Sequence, residues 1–406
     1  MADLPSEVIT EILSRIPVKP LLRLRCTCKL WRSLIDSTDF IFFHLTKSKD
    51  SNIILRQHSR LYELDLNSMD RVKELNHPLM CYSNRIKILG SCNGLLCICN
   101  IADDIAFWNP SIRKHRIIPS APLIRKDKNS DENTNANSNA AVTTLLAARV
   151  YGFGYDSFSD DYKLVSISYF VDLHNRSFDS QVRVYTMRTD VWKNVPSMPY
   201  ALCCGRTMGV FVSGSIHWVV TRNVEPDQSD LIVAFDLRFE IFREIELPTT
   251  VDGKFEMEVA VFGGLLCVIE NRGSEGFNVW VMREYGSGDS WCKLFTVEQP
   301  RDVKLIKCLK PLGYSRDGDK VLFEQDRGKL CWYNLQSKEL SWVRISGMSK
   351  SVEGVVCVGS LVPPNLMNRS VHSKIQKLGE EKKNKKKRVE EKRRCLSSRK
   401  LAHNNN

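Results

Sequence analysis

The apolar positions of this chain follow two periods, and the change between them falls near residue 47. Val8, Ile9, Ile12, Leu13 and Ile16 recur at helical spacing and predict an amphipathic helix over Ser6–Ser14. Pro5 stands just inside its expected start, where a missing N–H costs little, and Asp3 and Glu7 place negative charge at the positive end of the helix. Pro17 ends it. A second helix is expected from near Val18, with Pro20 in its first turn and Leu21, Leu22 and Leu24 apolar. A third covers about Lys29 to Ile35, with Leu30, Trp31, Leu34 and Ile35, and Asp39 is expected to cap a short helix carrying Phe40, Ile41, Phe43 and Leu45. A unit this small cannot bury so much apolar surface alone, which usually means that it has a partner. Leu24, Trp31, Leu34 and Ile35 suit a small internal core. Leu4, Pro5, Ile9, Ile12 and Leu13 form an outward apolar face, whose burial would contribute roughly 1.5–3 kcal/mol per side chain before binding costs.

From Lys47 to Asn365 the pattern is different. Short runs of Val, Ile, Phe, Tyr and Trp alternate with Gly, Asn, Asp and Pro turns, an all-β signature. One motif recurs, a short strand ending in an aromatic, at Trp108, Tyr185, Phe235, Trp280 and Tyr333, with Leu64 as a weaker copy. The steps between these positions are 44, 77, 50, 45 and 53 residues. Steps near 45–50 suit four-stranded propeller blades. The long step contains Lys126 to Thr144, a polar, low-complexity stretch expected to be a disordered loop. A hairpin pair precedes most copies, for example Ile86–Leu89 with Leu95–Cys99. The first copy supplies only about three strands, near Ile53, Leu64 and Val72. The segment Gly354–Val362 is therefore expected to complete the first blade and close the ring, which removes exposed sheet edges.

Composition adds three constraints. The net charge of +12 is local: residues 365–406 carry 14 Lys/Arg and 4 Asp/Glu, so the rest of the chain is nearly neutral. The overall charge therefore lends no support to nucleic-acid binding. No run is apolar enough to predict a membrane span, and the opening residues lack the pattern of a secretory signal. The 14 cysteines sit mostly inside apolar runs, without paired CxxC spacing, so reduced buried thiols and a cytoplasmic or nuclear compartment are expected, with no metal and no cofactor.

The spacing Leu4-Pro5-x-Glu7-Val8-Ile9-x-x-Ile12-Leu13-x-Arg15-Ile16-Pro17, then Lys19-x-Leu21-x-Arg23-x-Arg25, then Cys28-Lys29-x-Trp31-x-x-Leu34-Ile35, resembles an F-box of the plant type. That resemblance implies a three-helix unit docking on a Skp-type adaptor, and through it on a cullin and a RING subunit. It places adaptor-binding residues at Leu4, Pro5, Val8, Ile9, Ile12, Leu13, Ile16 and Pro17, and an F-box core at Leu21, Leu24, Cys28, Trp31, Leu34 and Ile35. The bottom-up alternative is a helical hairpin packed on the chain's own β-domain. Further on, Cys92-Asn93-Gly94-Leu95-Leu96-Cys97, Trp108-Asn109-Pro110-Ser111-x-Arg113-Lys114, Gly152-Phe153-Gly154-Tyr155-Asp156 and Asp161-Tyr162-Lys163-Leu164-Val165 resemble the F-box-associated domain, which is similar to kelch repeats. The paired glycines of true kelch blades occur only at Gly263-Gly264.

The expected architecture is thus an α+β multidomain chain. It has an F-box at residues 1–46, an all-β propeller-like domain of six blades at residues 50–364 and a disordered basic tail at residues 365–406. The tail carries Lys382, Lys383, Lys385, Lys386, Lys387, Arg388, Lys392, Arg393 and Arg394, which suit a nuclear-localisation signal, a phosphate-binding arm or a plain solvated tail. Trp108, Trp192, Trp218, Trp280, Trp291, Trp332 and Trp342 read as wedges between blades, and recognition is expected on loops, where repeats diverge. The candidate loops for a protein target are Tyr169–Asp179, Pro199–Arg206 and Arg222–Asp230. No catalytic motif is present, so the resemblance implies a non-catalytic substrate receptor of a ubiquitin ligase, with a non-degradative scaffold as the alternative.

Overall fold

The computed structural model describes residues 5–48, 51–65, 72–80, 85–121, 144–172, 177–202, 208–222, 230–248, 251, 255–300, 305–345, 348 and 352–365. The basic tail and the 126–144 insertion, apart from Thr144, lie outside the described residues.

Four helices open the chain: α1 (Ser6–Ser14), α2 (Val18–Leu24), α3 (Lys29–Ile35) and α4 (Thr38–Lys47). Pro5 takes the N-cap position of α1 in an extended conformation, one residue outside the helix, and Pro17 does the same for α2. The cap of α4 is Ser37, whose hydroxyl accepts from Phe40 N at 3.3 Å; Asp39 lies in the first turn, where its charge favours the helix dipole. Cys28 is not a core residue. It is exposed and caps α3, its Sγ accepting from Trp31 N at 3.4 Å. The fourth helix that the apolar pattern after Asp39 predicts joins the three that the resemblance implies, and α4 buries Phe40, Ile41 and His44. His44 Nε2 bonds Ile16 O at 2.9 Å and ties α4 to the end of α1.

Six sheets follow, five of them contiguous in sequence. Blade 1 joins Glu353–Val358 to Ser51–Gln57, Arg60–Leu64 and Val72–Leu75. Its first pair is antiparallel, with Ile53 opposite Val356, so the last strand closes the ring. Blade 2 is Lys87–Cys92, Leu95–Cys99, Ile105–Asn109 and Lys114–Ile118; blade 3 is Thr144–Asp156, Asp161–Asp172, Ser177–Thr186 and Val191–Val195. Blade 4 has a split inner strand, Ala201–Leu202 and Val210–Val212, against Ser215–Thr221, Leu231–Asp236 and Phe242–Ile245. Blade 5 is Glu256–Phe262, Leu265–Asn271, Phe277–Met282 and Trp291–Val297, and blade 6 is Leu309–Tyr314, Lys320–Gln325, Lys329–Asn334 and Leu340–Trp342. All six repeat positions, Leu64, Trp108, Tyr185, Phe235, Trp280 and Tyr333, fall on the third strand of a blade. A third strand is covered on both faces by neighbouring blades, which is why it reads as continuously apolar.

The ring and the helical unit share one core. Leu13, Val18, Leu21, Ile35, Phe40 and Ile41 pack in the same buried cluster as Leu89, Cys92, Leu95, Phe153 and Tyr162 of blades 2 and 3. Lys19 Nζ reaches Glu63 Oε2 at 2.9 Å, Ser48 Oγ donates to Gly359 O at 3.1 Å, and the Phe42 ring lies 6.5 Å from that of Tyr155.

Candidate functional site

Topology assigns the molecule two faces. In every blade the first-to-second and third-to-fourth turns share one end, and the remaining connections share the other. The helical unit leads into the start of the second strand of blade 1, so it sits on the first of these ends. There Pro17–Pro20 meet Asn93, Ser111, Gly263, Gly264 and Arg316 around the axial channel, a cavity of about 950 Å³. At the opposite mouth stand Glu258, Lys310, Glu324, Arg327 and Glu353. Two of them tie blade 6 to blade 1, as Glu324 Oε2 accepts from Gly354 N at 2.7 Å and Lys310 Nζ donates to Gly354 O at 3.2 Å; within blade 1, Arg56 Nε donates to Glu353 Oε2 at 2.9 Å. Burial pushes the Glu324 carboxyl up, opposed by Lys310 and by the Gly354 amide.

The outward apolar face of α1 is narrower than its sequence suggests. Val8 is 42% exposed and Ile12 51%, with Pro5 and Pro17 also exposed and Ile9 and Ile16 half-buried. Leu13 is only 2% exposed: it belongs to the shared core, not to the outward apolar face, because α4 and the propeller cover that side of α1. Leu4 lies outside the described residues. Of the core set, Leu21 and Ile35 are fully buried, and Leu24, Trp31 and Leu34 pack on them as half-buried residues. Arg25 Nη2 donates to Asp36 Oδ2 at 2.7 Å and clasps the end of α2 to the end of α3; that bond also holds the Arg25 pKa above its ordinary value.

The tryptophans act mainly between blades. Trp108 and Trp218 are buried in inter-blade clusters. Trp192 Nε1, on the outer strand of blade 3, donates to Pro119 O beyond the outer strand of blade 2 at 2.8 Å. Trp291 Nε1 repeats this between blades 5 and 4, donating to Glu246 O at 2.7 Å. Trp342 differs: it is 41% exposed and bonds Gln325 Oε1 within its own blade.

All three candidate target loops leave from the face opposite the helical unit. The first is largely not a loop. Tyr169 pairs with Ser180 in a continued hairpin of blade 3, is buried, and stacks on Phe178 with centroids 5.2 Å apart. Only residues 173–176 separate these strands, and they lie outside the described residues. In the second, Ala201–Leu202 forms a strand on Val220–Thr221, and residues 203–206 are not described. Residues 223–229 of the third are not described either. The described ends of the last two converge on one carboxylate, with Tyr200 Oη 3.0 Å from Glu244 Oε1 and Arg222 Nη2 2.5 Å from Glu244 Oε2. Glu244 carries no motif in the sequence; it is an exposed residue of the outer strand Phe242–Ile245.

Family comparison agrees with this division. Residues 1–43 match the F-box domain model, and residues 51–364 match the F-box associated beta propeller domain model. The F-box protein CPR1 of Arabidopsis thaliana is 35% identical over 384 residues, covering 89% of each chain. The F-box/kelch-repeat protein At3g23880 of the same plant is 29% identical over 383 residues, covering 89% of this chain and 96% of that relative. A small helical unit fused to one end of a closed six-bladed ring, matched by both models, places this chain in the family of F-box proteins that carry an F-box-associated β-propeller domain.

Proposed function

We propose that this protein is the substrate-recognition subunit of a cullin–RING ubiquitin ligase of the SCF type. The F-box binds a Skp-type adaptor through α1, the adaptor joins the cullin and its RING subunit, and the far face of the propeller captures a protein target for ubiquitination. The observation that carries this reading is the exposure of Val8 and Ile12 on a helix whose other side is locked into the propeller core. Such a face is costly in water and suited to a partner. The shared core supports a rigid spacing between adaptor and target, which raises the effective concentration of the target near the conjugating machinery. The basic tail would add nuclear import.

The test is a purified Skp-type adaptor titrated against the full chain. Ile12→Asp places a charge at the centre of the docking face and is expected to abolish binding without changing the melting temperature. Undiminished binding by that variant would sink the assignment of α1. Accumulation of a captured target on proteasome inhibition distinguishes the degradative role from sequestration.

A further inference from the structure

Two exposed phenylalanines bracket an arginine on the propeller face that carries the F-box. Phe158, in the first turn of blade 3, is 70% exposed, and Phe239, in the third-to-fourth turn of blade 4, is 64% exposed. The Arg238 guanidinium lies 3.8 Å from the Phe158 ring centroid and 5.0 Å from that of Phe239. Ile241, at 53%, is exposed on the same turn.

The two turns are held firmly. Asp156 Oδ1 accepts from Phe158 N at 3.0 Å, and Asp236 Oδ1 accepts from Arg238 N at 2.9 Å and Phe239 N at 3.0 Å. Lys163 is buried between them, its Nζ 3.1 Å from Asp156 Oδ2 and 3.1 Å from Glu240 Oε1. Lys193 Nζ occupies the second oxygen of Glu240 at 2.7 Å, so this carboxylate is already shared by two lysines. What faces outward is apolar with a cationic centre. Rigid aromatics around an arginine lose little entropy on binding, and they are the residue types that anchor interfaces.

The position of the patch indicates its occupant. Tyr155, at the base of the Phe158 turn, packs against Phe42 of α4, so the patch continues the surface of the F-box onto the ring. Size points the same way. A nine-residue helix such as α1 is about 13 Å long and about 10 Å across, and one face of it falls well short of the roughly 800 Å² per partner of a stable interface. We infer that the Phe158–Arg238–Phe239 patch is a second contact for the adaptor received by α1, taking a segment of it in which an apolar side chain stands beside a carboxylate. This rests on the proposed F-box–adaptor function.

The experiment measures binding of a purified Skp-type adaptor to the full chain by biolayer interferometry. The double variant Phe158→Ala/Phe239→Ala is expected to weaken binding about tenfold or more, and Arg238→Glu likewise, with the Arg238→Glu loss shrinking at high salt. Ile101→Ala, an exposed apolar position on the opposite face, leaves affinity unchanged. If both patch variants bind like the wild type while Ile12→Asp does not bind, the second contact is overturned and the F-box assignment stands. If the wild-type chain does not bind the adaptor, both fall. Should the double variant lose its fold, a photo-crosslinking phenylalanine analogue at position 158 decides: a crosslink to the adaptor supports the contact, and none overturns it.

Discussion

Burial holds the His217 imidazole neutral, pushing its pKa down to about 4, with the nearby Arg243 charge adding to the effect and the Val210 carbonyl opposing it. Nδ1 lies 3.1 Å from Val210 O and Nε2 2.8 Å from Tyr285 Oη, so Nδ1–H donates to the carbonyl and Nε2 accepts the tyrosine proton. Between about pH 6.5, where an unfolded histidine titrates, and pH 4 the unfolded chain holds the extra proton. This contribution to stability is therefore complete above the upper limit and is lost as pH falls through the window, by at most about 1.4 kcal/mol per pH unit. Urea midpoints of wild type and His217→Gln at pH 7 and pH 5 test this: the variant is expected to be weaker at pH 7 and to lose less on acidification. Parallel losses would mean that His217 is not the group responsible. His217 was not visible as a special position, because its alternation along Ser215–Thr221 matches any strand; only the blade 5 residue Tyr285 makes it a buried, bonded base.

At the scale of elements, the closing strand of blade 1 is held by more than its ladder. Asn109, fully buried at the end of the third strand of blade 2, donates through Nδ2 to Ser360 O at 3.0 Å and Val362 O at 2.7 Å. It thereby latches the chain that follows Glu353–Val358. Asn109→Ala leaves these carbonyls without their donor and is expected to cost about 1–3 kcal/mol, read as a lowered urea midpoint at unchanged slope. The Trp108-Asn109 pair was legible as a repeat signature, and so was the late strand that closes the ring. The latch was not, since it joins positions some 250 residues apart. The same limit explains Cys28, which the F-box resemblance places among core residues but which caps a helix, and Tyr169, where an expected loop is strand because blade 3 extends beyond its neighbours.

At the scale of the molecule, the F-box is part of the propeller's hydrophobic structure. Leu13, Leu21 and Ile35 bury themselves partly on Leu89, Cys92 and Phe153, so residues 1–48 alone leave that surface open. A fragment ending at residue 48 is expected to show little helical circular dichroism, whereas in the whole chain the helices should melt together with the ring. A separate early helical transition would contradict the shared core. For the proposed function the consequence is geometric: the exposed face of α1 and the candidate target loops lie at opposite ends of one body with a shared core.

Sequence alone determined the identity of the two units, the third-strand aromatics, the blade period and the ring closure, because these depend on local periodicity and on motif spacing. It also placed Ile12 on the outward face of α1, where the side chain is exposed, while Val8, exposed beside it, entered only through the F-box resemblance. Tertiary structure decided which apolar residues stay outside. Leu13 and Ile12 are neighbours on one helix, and only the packing of α4 and the propeller against one side of that helix buries the first and leaves the second exposed.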